Sequence, residues 1–141
     1  MSTSLKVAAV FACLLLAPWS EGCGSSSTTA PSTTATSPTT DTFSSILYVG
    51  SAVSRSYTLS TAGTVTASLV SAAPPAIVIG FGVGIPLSND AGCVLSSSLN
   101  TTAGPTAQVT AAVDTGAYCV QVFDPGTVTD PVSFTINIVH P

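Results

Sequence analysis

Between residues 43 and 141 the chain alternates apolar and polar positions in short runs, each closed by glycine, proline or hydroxyl residues. The clearest run covers residues 117–123. Tyr118, Val120 and Val122 fall on one face, and Ala117, Cys119, Gln121 and Phe123 on the other. The chain enters it through Thr115-Gly116 and leaves through Asp124-Pro125-Gly126. A period of two between turn signals predicts a half-buried β-strand. The same period recurs over residues 64–70, with Val65, Ala67 and Leu69 inward, and over 132–139, with Phe134, Ile136 and Ile138 inward. It also runs through residues 106–113, and through 55–60, where Tyr57 and Leu59 share a face. Residues 76–85 set Ile77, Ile79, Phe81, Val83 and Ile85 against Val78, Gly80, Gly82 and Gly84. Residues 46–49 and 93–95 predict two shorter strands. Such strands, spaced roughly ten residues apart with no helical period, predict an all-β fold: a two-sheet antiparallel β-sandwich or jelly roll of about seven or eight strands. Roughly a hundred residues suffice to bury its core.

Upstream the pattern is different. Lys6 precedes an apolar run over residues 7–17. That run is too short to cross a bilayer, which takes ~20 residues, and reads as the core of an export signal over residues 1–22. Gly22-Cys23 resembles the end of a bacterial lipobox. The resemblance implies that Cys23 is acylated and becomes the new N-terminus. An ordinary secretory signal, releasing a soluble protein, is the alternative. Residues 24–42 hold no aromatic or large aliphatic side chain. Nothing there offsets the entropy of ordering, which predicts a disordered Ser/Thr/Pro linker. The domain boundary is therefore expected at residue 43.

Composition narrows the function. Only 6% of residues are charged, against roughly 25% in typical soluble domains, so solubility rests on hydroxyls and amides. Lys6 and Arg55 are the only basic residues. That excludes the Lys/Arg footprint of a nucleic-acid binder and of a polybasic lipid-binding segment. The expected attachment to the membrane is the lipid on Cys23. The expected partner is a cell-surface polymer or an envelope protein.

Cys93 and Cys119 are the two cysteines of the predicted domain. Export into an oxidising compartment predicts a disulfide between them. Asp114, Gly116 and Tyr118 form an Asp-x-Gly-x-Tyr turn resembling the tyrosine corner of immunoglobulin-like sandwiches, in which the phenol bonds back to nearby backbone. In those domains the cysteine lies two residues past the tyrosine, on the same face. Here Cys119 follows at once and faces the other way. The bridge is thus expected across an outer face or an edge rather than between the sheets.

The domain as a whole resembles the bacterial pre-peptidase C-terminal type of jelly roll. The resemblance runs through Phe43-Ser-Ser-Ile-Leu-Tyr-Val-Gly, Ser56-Tyr57-Thr58-Leu59 and Gly63-Thr64-Val65-Thr66. It continues through Gly116-Ala-Tyr118-Cys-Val-Gln-Val-Phe-Asp124 and the closing Ser133-Phe-Thr-Ile-Asn-Ile-Val-His-Pro141. It implies an exported, non-catalytic sandwich that in some cases binds polymeric or cell-surface ligands. No peptidase accompanies it in this chain.

Chemistry-bearing residues are few. Asp114-Thr115-Gly116-Ala117 matches the loop of dimeric aspartic proteases, which place two carboxylates on one proton. A turn feeding a strand is the preferred reading. His140, the sole histidine, is expected to be exposed and inert near the chain end. Asp90, Asp124 and Asp130 are oxygen donors of the kind calcium takes, without calcium-loop spacing. Metal sites built on three histidines or on cysteine clusters are excluded by count. Neither a cofactor nor a catalytic residue is expected. Gly80, Gly82 and Gly84 form a bare face that another backbone or a flat ligand can approach. Asn100-Thr101-Thr102 matches a glycosylation acceptor and reads equally as a polar loop. Tyr48 and Phe123 are the candidate sugar-stacking aromatics. The function these features predict is a membrane-anchored, extracytoplasmic binding or display module. A purely structural envelope lipoprotein is the alternative.

Overall fold

The computed structural model describes residues 37–88 and 91–141. The predicted signal, Cys23, linker residues 24–36 and Asp90 lie outside the described residues. Eight strands follow in order: β1 (Thr39–Leu47), β2 (Ala52–Leu59), β3 (Gly63–Ala73), β4 (Ile79–Pro86), β5 (Cys93–Thr101), β6 (Val109–Val113), β7 (Gly116–Phe123) and β8 (Val132–His140). They form two antiparallel sheets of four, ordered β1-β8-β3-β6 and β2-β7-β4-β5. The fold is a two-sheet β-sandwich. Every connection crosses between the sheets except the β4–β5 hairpin.

The alternation explains the core. Val65, Ala67 and Leu69 of β3, Val120 and Val122 of β7, and Phe134, Ile136 and Ile138 of β8 are buried, and their neighbours turn outward. Phe43 meets Phe134 edge to face, with ring centroids 5.4 Å apart. Near the end of β3 the register shifts between Leu69 and Ser71. There the Leu69 N–H donates to the Gln108 side-chain oxygen at 2.9 Å, and its carbonyl accepts from the Gly104 N–H at 2.8 Å. One side chain thus replaces a strand partner, and β6 starts at Val109 rather than at 106.

Two boundaries differ most from expectation. β1 opens at Thr39, so residues 39–42 of the predicted linker pair with β8 at its far terminus. Backbone pairing orders them without any large apolar side chain. β5 continues to Thr101, well past the predicted 93–95. Ser96-Ser97-Ser98 carries no apolar alternation, yet β4 supplies its hydrogen-bonding edge.

Candidate functional site

The outer face of the second sheet is where sequence and structure engage most closely. β4 is buried on both faces from Ile79 to Gly84. Its inner side chains fill the core, and its outer glycines lie beneath other parts of the chain. A Cβ on Gly84 would meet the Val94 carbonyl, one on Gly82 the Ser97 carbonyl, and one on Gly80 the Phe123 ring, all well inside contact distance. The pairing of β4 with β5 slips between Val83 and Gly84, leaving Ser96 as an extra residue on β5. A bulge of this kind bends the strand. The β4–β5 hairpin consequently folds back over β7. The Cys93 N–H donates to the Gln121 side-chain oxygen at 3.1 Å, and Cys93 and Cys119 are joined with Cα atoms 5.9 Å apart. The disulfide therefore lies on the outer face. The bare glycine face is occupied by backbone and by Phe123, which leaves no room for a flat ligand. Ile85, on the same predicted face as the buried Ile79, Phe81 and Val83, is 58% exposed.

The far end of the sandwich is the end where β1 finishes. Tyr48 and Val49 stand exposed on the turn from β1 to β2. This tip is held from several sides. The Ser51 N–H and hydroxyl both donate to the Tyr48 carbonyl, at 3.1 and 2.7 Å, and the Tyr48 N–H donates to the Ser51 hydroxyl at 3.0 Å. Gly50 takes φ 66°, a conformation that suits glycine. Its N–H donates to the Asp124 carboxylate at 2.8 Å. The other carboxylate oxygen accepts from the N–H groups of Gly126, Thr127 and Val128, at 2.7, 2.9 and 3.1 Å. Asp124 thereby ties the β1–β2 turn to the loop after β7. The Gly50 N–H, followed by those of Val128, Gly126 and Thr127, lowers its carboxyl pKa. Main-chain N–H groups thus engage both oxygens. Asp130 accepts from its neighbour Thr129 at 3.3 Å. Among the described residues no group of three His, Cys, Asp or Glu side chains could hold a metal ion. Phe123 lies over Gly80, half-buried, so the exposed aromatic at this end is Tyr48.

The near end gathers the aromatic residues. Asp114 lies in the turn between β6 and β7, and its N–H donates to the Tyr118 hydroxyl at 3.1 Å. Tyr118 stacks on its cross-strand partner Tyr57 at 6.3 Å. Tyr118 is half-buried rather than fully buried, because it closes the end of the core. Tyr57 stacks in turn on His140 at 5.8 Å, with 19° between the ring planes. Burial, then the nearby Tyr118 and Asp41, push the Tyr57 hydroxyl up to about 12. That hydroxyl is buried with no hydrogen-bond partner. His140 is 9% exposed, which corrects the expectation of an exposed side chain. It continues the inward face of β8, and Nε2 lies 3.3 Å from the Asp41 carboxylate. A cleft of about 170 Å³ opens beside Tyr118, lined by Val83, Ile85, Ala111 and Val113. It is smaller than the ~300–1,000 Å³ of typical small-molecule sites.

The structure therefore joins Cys93 to Cys119 and Asp114 to Tyr118, and keeps Asp114 and Asp124 at opposite ends of β7. Sequence reading missed the Tyr57–His140–Asp41 group. The period of two through Ile136 and Ile138 extends to His140 and was the available signal for it. Asn100 is exposed on β5. No family model matches this chain, and no curated protein matches it.

Proposed function

We propose that this protein is a non-catalytic module, anchored outside the cytoplasm through acylated Cys23, that binds or displays at the cell envelope. The observation that carries the reading is the far tip. Tyr48 and Val49 are exposed, at 58% and 56%, on a turn held by Ser51 and Asp124. Rigidly presented apolar and aromatic side chains bind with less ordering cost than mobile ones. β1 separates this tip from the chain that enters at Thr39. A tether at that entry leaves the tip free to face outward. The partner is a neutral cell-surface polymer or an envelope protein, since Arg55, the one Lys or Arg of the domain, offers no basic surface for an anionic one. The resemblance to pre-peptidase C-terminal sandwiches belongs to the same reading.

The test is a binding screen of the full-length protein, as its host processes it, against purified glycans, peptidoglycan and envelope extract. Tyr48→Ala is the control. Binding to a defined polymer that Tyr48→Ala abolishes supports the proposal. Retention unchanged by Tyr48→Ala removes the tip from it. Intact mass checks the anchor separately: a diacylglycerol-sized addition on Cys23, lost in Cys23→Ser, is expected.

A further inference from the structure

We infer that the contact between His140 and Asp41 is a pH-sensitive latch that holds the first four residues of β1 onto the domain. Thr39, Thr40 and Thr42 are exposed and Asp41 is half-buried, whereas Phe43 and Leu47 are buried. The second half of the strand is therefore secured by apolar burial, and the first half by polar contacts and backbone pairing. The side-chain contacts are few. Thr42 donates its hydroxyl to the Asn137 side-chain oxygen at 3.0 Å, and Arg55 reaches the Thr42 carbonyl at 3.5 Å. Asp41 meets His140 at 3.3 Å. Arg55 is the only other charged side chain on β1, β2, β7 and β8.

His140 is itself held in place. Tyr57 of β2 stacks on its ring, with Tyr118 of β7 behind. Nδ1 faces a main-chain oxygen of Pro141 at 3.1 Å, and Nε2 faces the Asp41 carboxylate of β1. Both ring nitrogens thus face acceptors. Only the imidazolium can donate from both, because each neutral tautomer leaves a lone pair against an oxygen. Protonated, the ring bonds the β8 terminus to β1 and adds a charge pair. Neutral, it loses one hydrogen bond and the charge. Residues 39–42 then have little side-chain anchorage, and the pairing with β8 opens from its end. Four released residues lengthen the segment entering the domain by about 13 Å.

The test is amide hydrogen exchange, followed by NMR on the full chain at pH ~5 and ~8, the interval in which histidine changes charge. Protection is corrected for the intrinsic rate at each pH. Amides of residues 39–42 that bond to β8 are expected to lose about two- to fivefold protection at the higher pH, while residues 43–47 keep theirs. Asp41→Asn, at a half-exposed edge position, is expected to fold normally and to show the low protection at both values. His140→Gln is expected to do the same. Equal wild-type protection at the two pH values overturns the latch. So does a pH dependence that survives Asp41→Asn.

Discussion

The two outer faces of this sandwich solve the same problem in opposite ways. The first sheet meets solvent directly. Its outer side chains include Thr66, Ser68, Ser133, Thr135 and Asn137, and pairs such as Ser44 with Thr135, 2.9 Å apart, hydrogen-bond across strands. The second sheet is roofed by its own chain. Gly82 and Gly84 let the β4–β5 hairpin lie against β4, Phe123 fills the place above Gly80, and the disulfide fixes the roof to β7. Hydroxyls on a charge-poor face tolerate change, since each meets water as readily as its neighbour. A face built from missing side chains does not, because any Cβ collides with backbone. A sequence so poor in charge can thus carry a permissive surface on one side and a strict one on the other.

Substitutions can break that contrast, and the largest effect belongs to the roof. Gly84→Val is expected to destabilise by at least ~4 kcal/mol in urea unfolding, because the obstructing atoms are the Val94 carbonyl and neighbouring backbone, which cannot swing aside. A loss under ~1 kcal/mol would mean that the hairpin is not held down. Next is the disulfide. Cys93→Ala/Cys119→Ala releases a bridge of sequence separation 26 and is expected to cost about 3.5 kcal/mol on chain entropy. Tyr118 sharpens the comparison at the near end. Tyr118→Ala is expected to cost about 3 kcal/mol, the lower part of the range for aromatic truncation, because the ring is half-buried. Tyr118→Phe, which removes only the bond from the Asp114 N–H, should cost about 1 kcal/mol.

The Asp124 clamp predicts a smaller, pH-dependent effect. Its folded carboxyl lies below the ordinary 3.8. The ionised form therefore stabilises the fold at pH values above 3.8, and that contribution is lost as the pH falls through the lower folded value. In thermal melts the gap between wild type and Asp124→Asn should narrow as the solution is acidified through this range; a constant gap would remove the carboxylate from the clamp. Smallest of all, Thr66→Val and Ser68→Ala on the open face should each stay within about 0.5 kcal/mol of wild type in the same urea experiment. A cost comparable to that of Gly84→Val would erase the distinction between the faces.

Much of this architecture was legible because inward and outward positions alternate strictly in β3, β7 and β8. Each of those strands was placed within a few residues, together with the buried faces of Leu69, Val122 and Ile136. The cysteine spacing relative to Tyr118 also placed the bridge on an outer face or an edge, away from the space between the sheets. What escaped lacks any apolar period. The Ser96–Ser98 stretch of β5 and the threonines opening β1 pair through backbone alone, and backbone hydrogen bonds leave no mark in side-chain composition. The glycines of β4 announced a close approach without naming what approaches. His140 was misread because nearness to the chain end was weighed above its place in the β8 alternation. The candidate site was the least legible part. Exposure of Tyr48 depends on a turn closed by Asp124, which is 74 residues from Gly50 in sequence and 2.8 Å from its N–H in space.

The pairing of β1 with β8 sets a timetable as well as a shape. β1 lies at the edge of its sheet, and its one partner there is β8, the last of the described strands. Among the described strands, the one that emerges first during synthesis must wait unpaired for the one that emerges last. Since almost every connection crosses between the layers, no early block of the sequence contains a closed sheet with its own covered face. Long-range pairing of this kind delays collapse into a finished fold. Until β8 is available β1 has no strand to pair with, so the first sheet closes only when residues 132–140 take their place between β1 and β3.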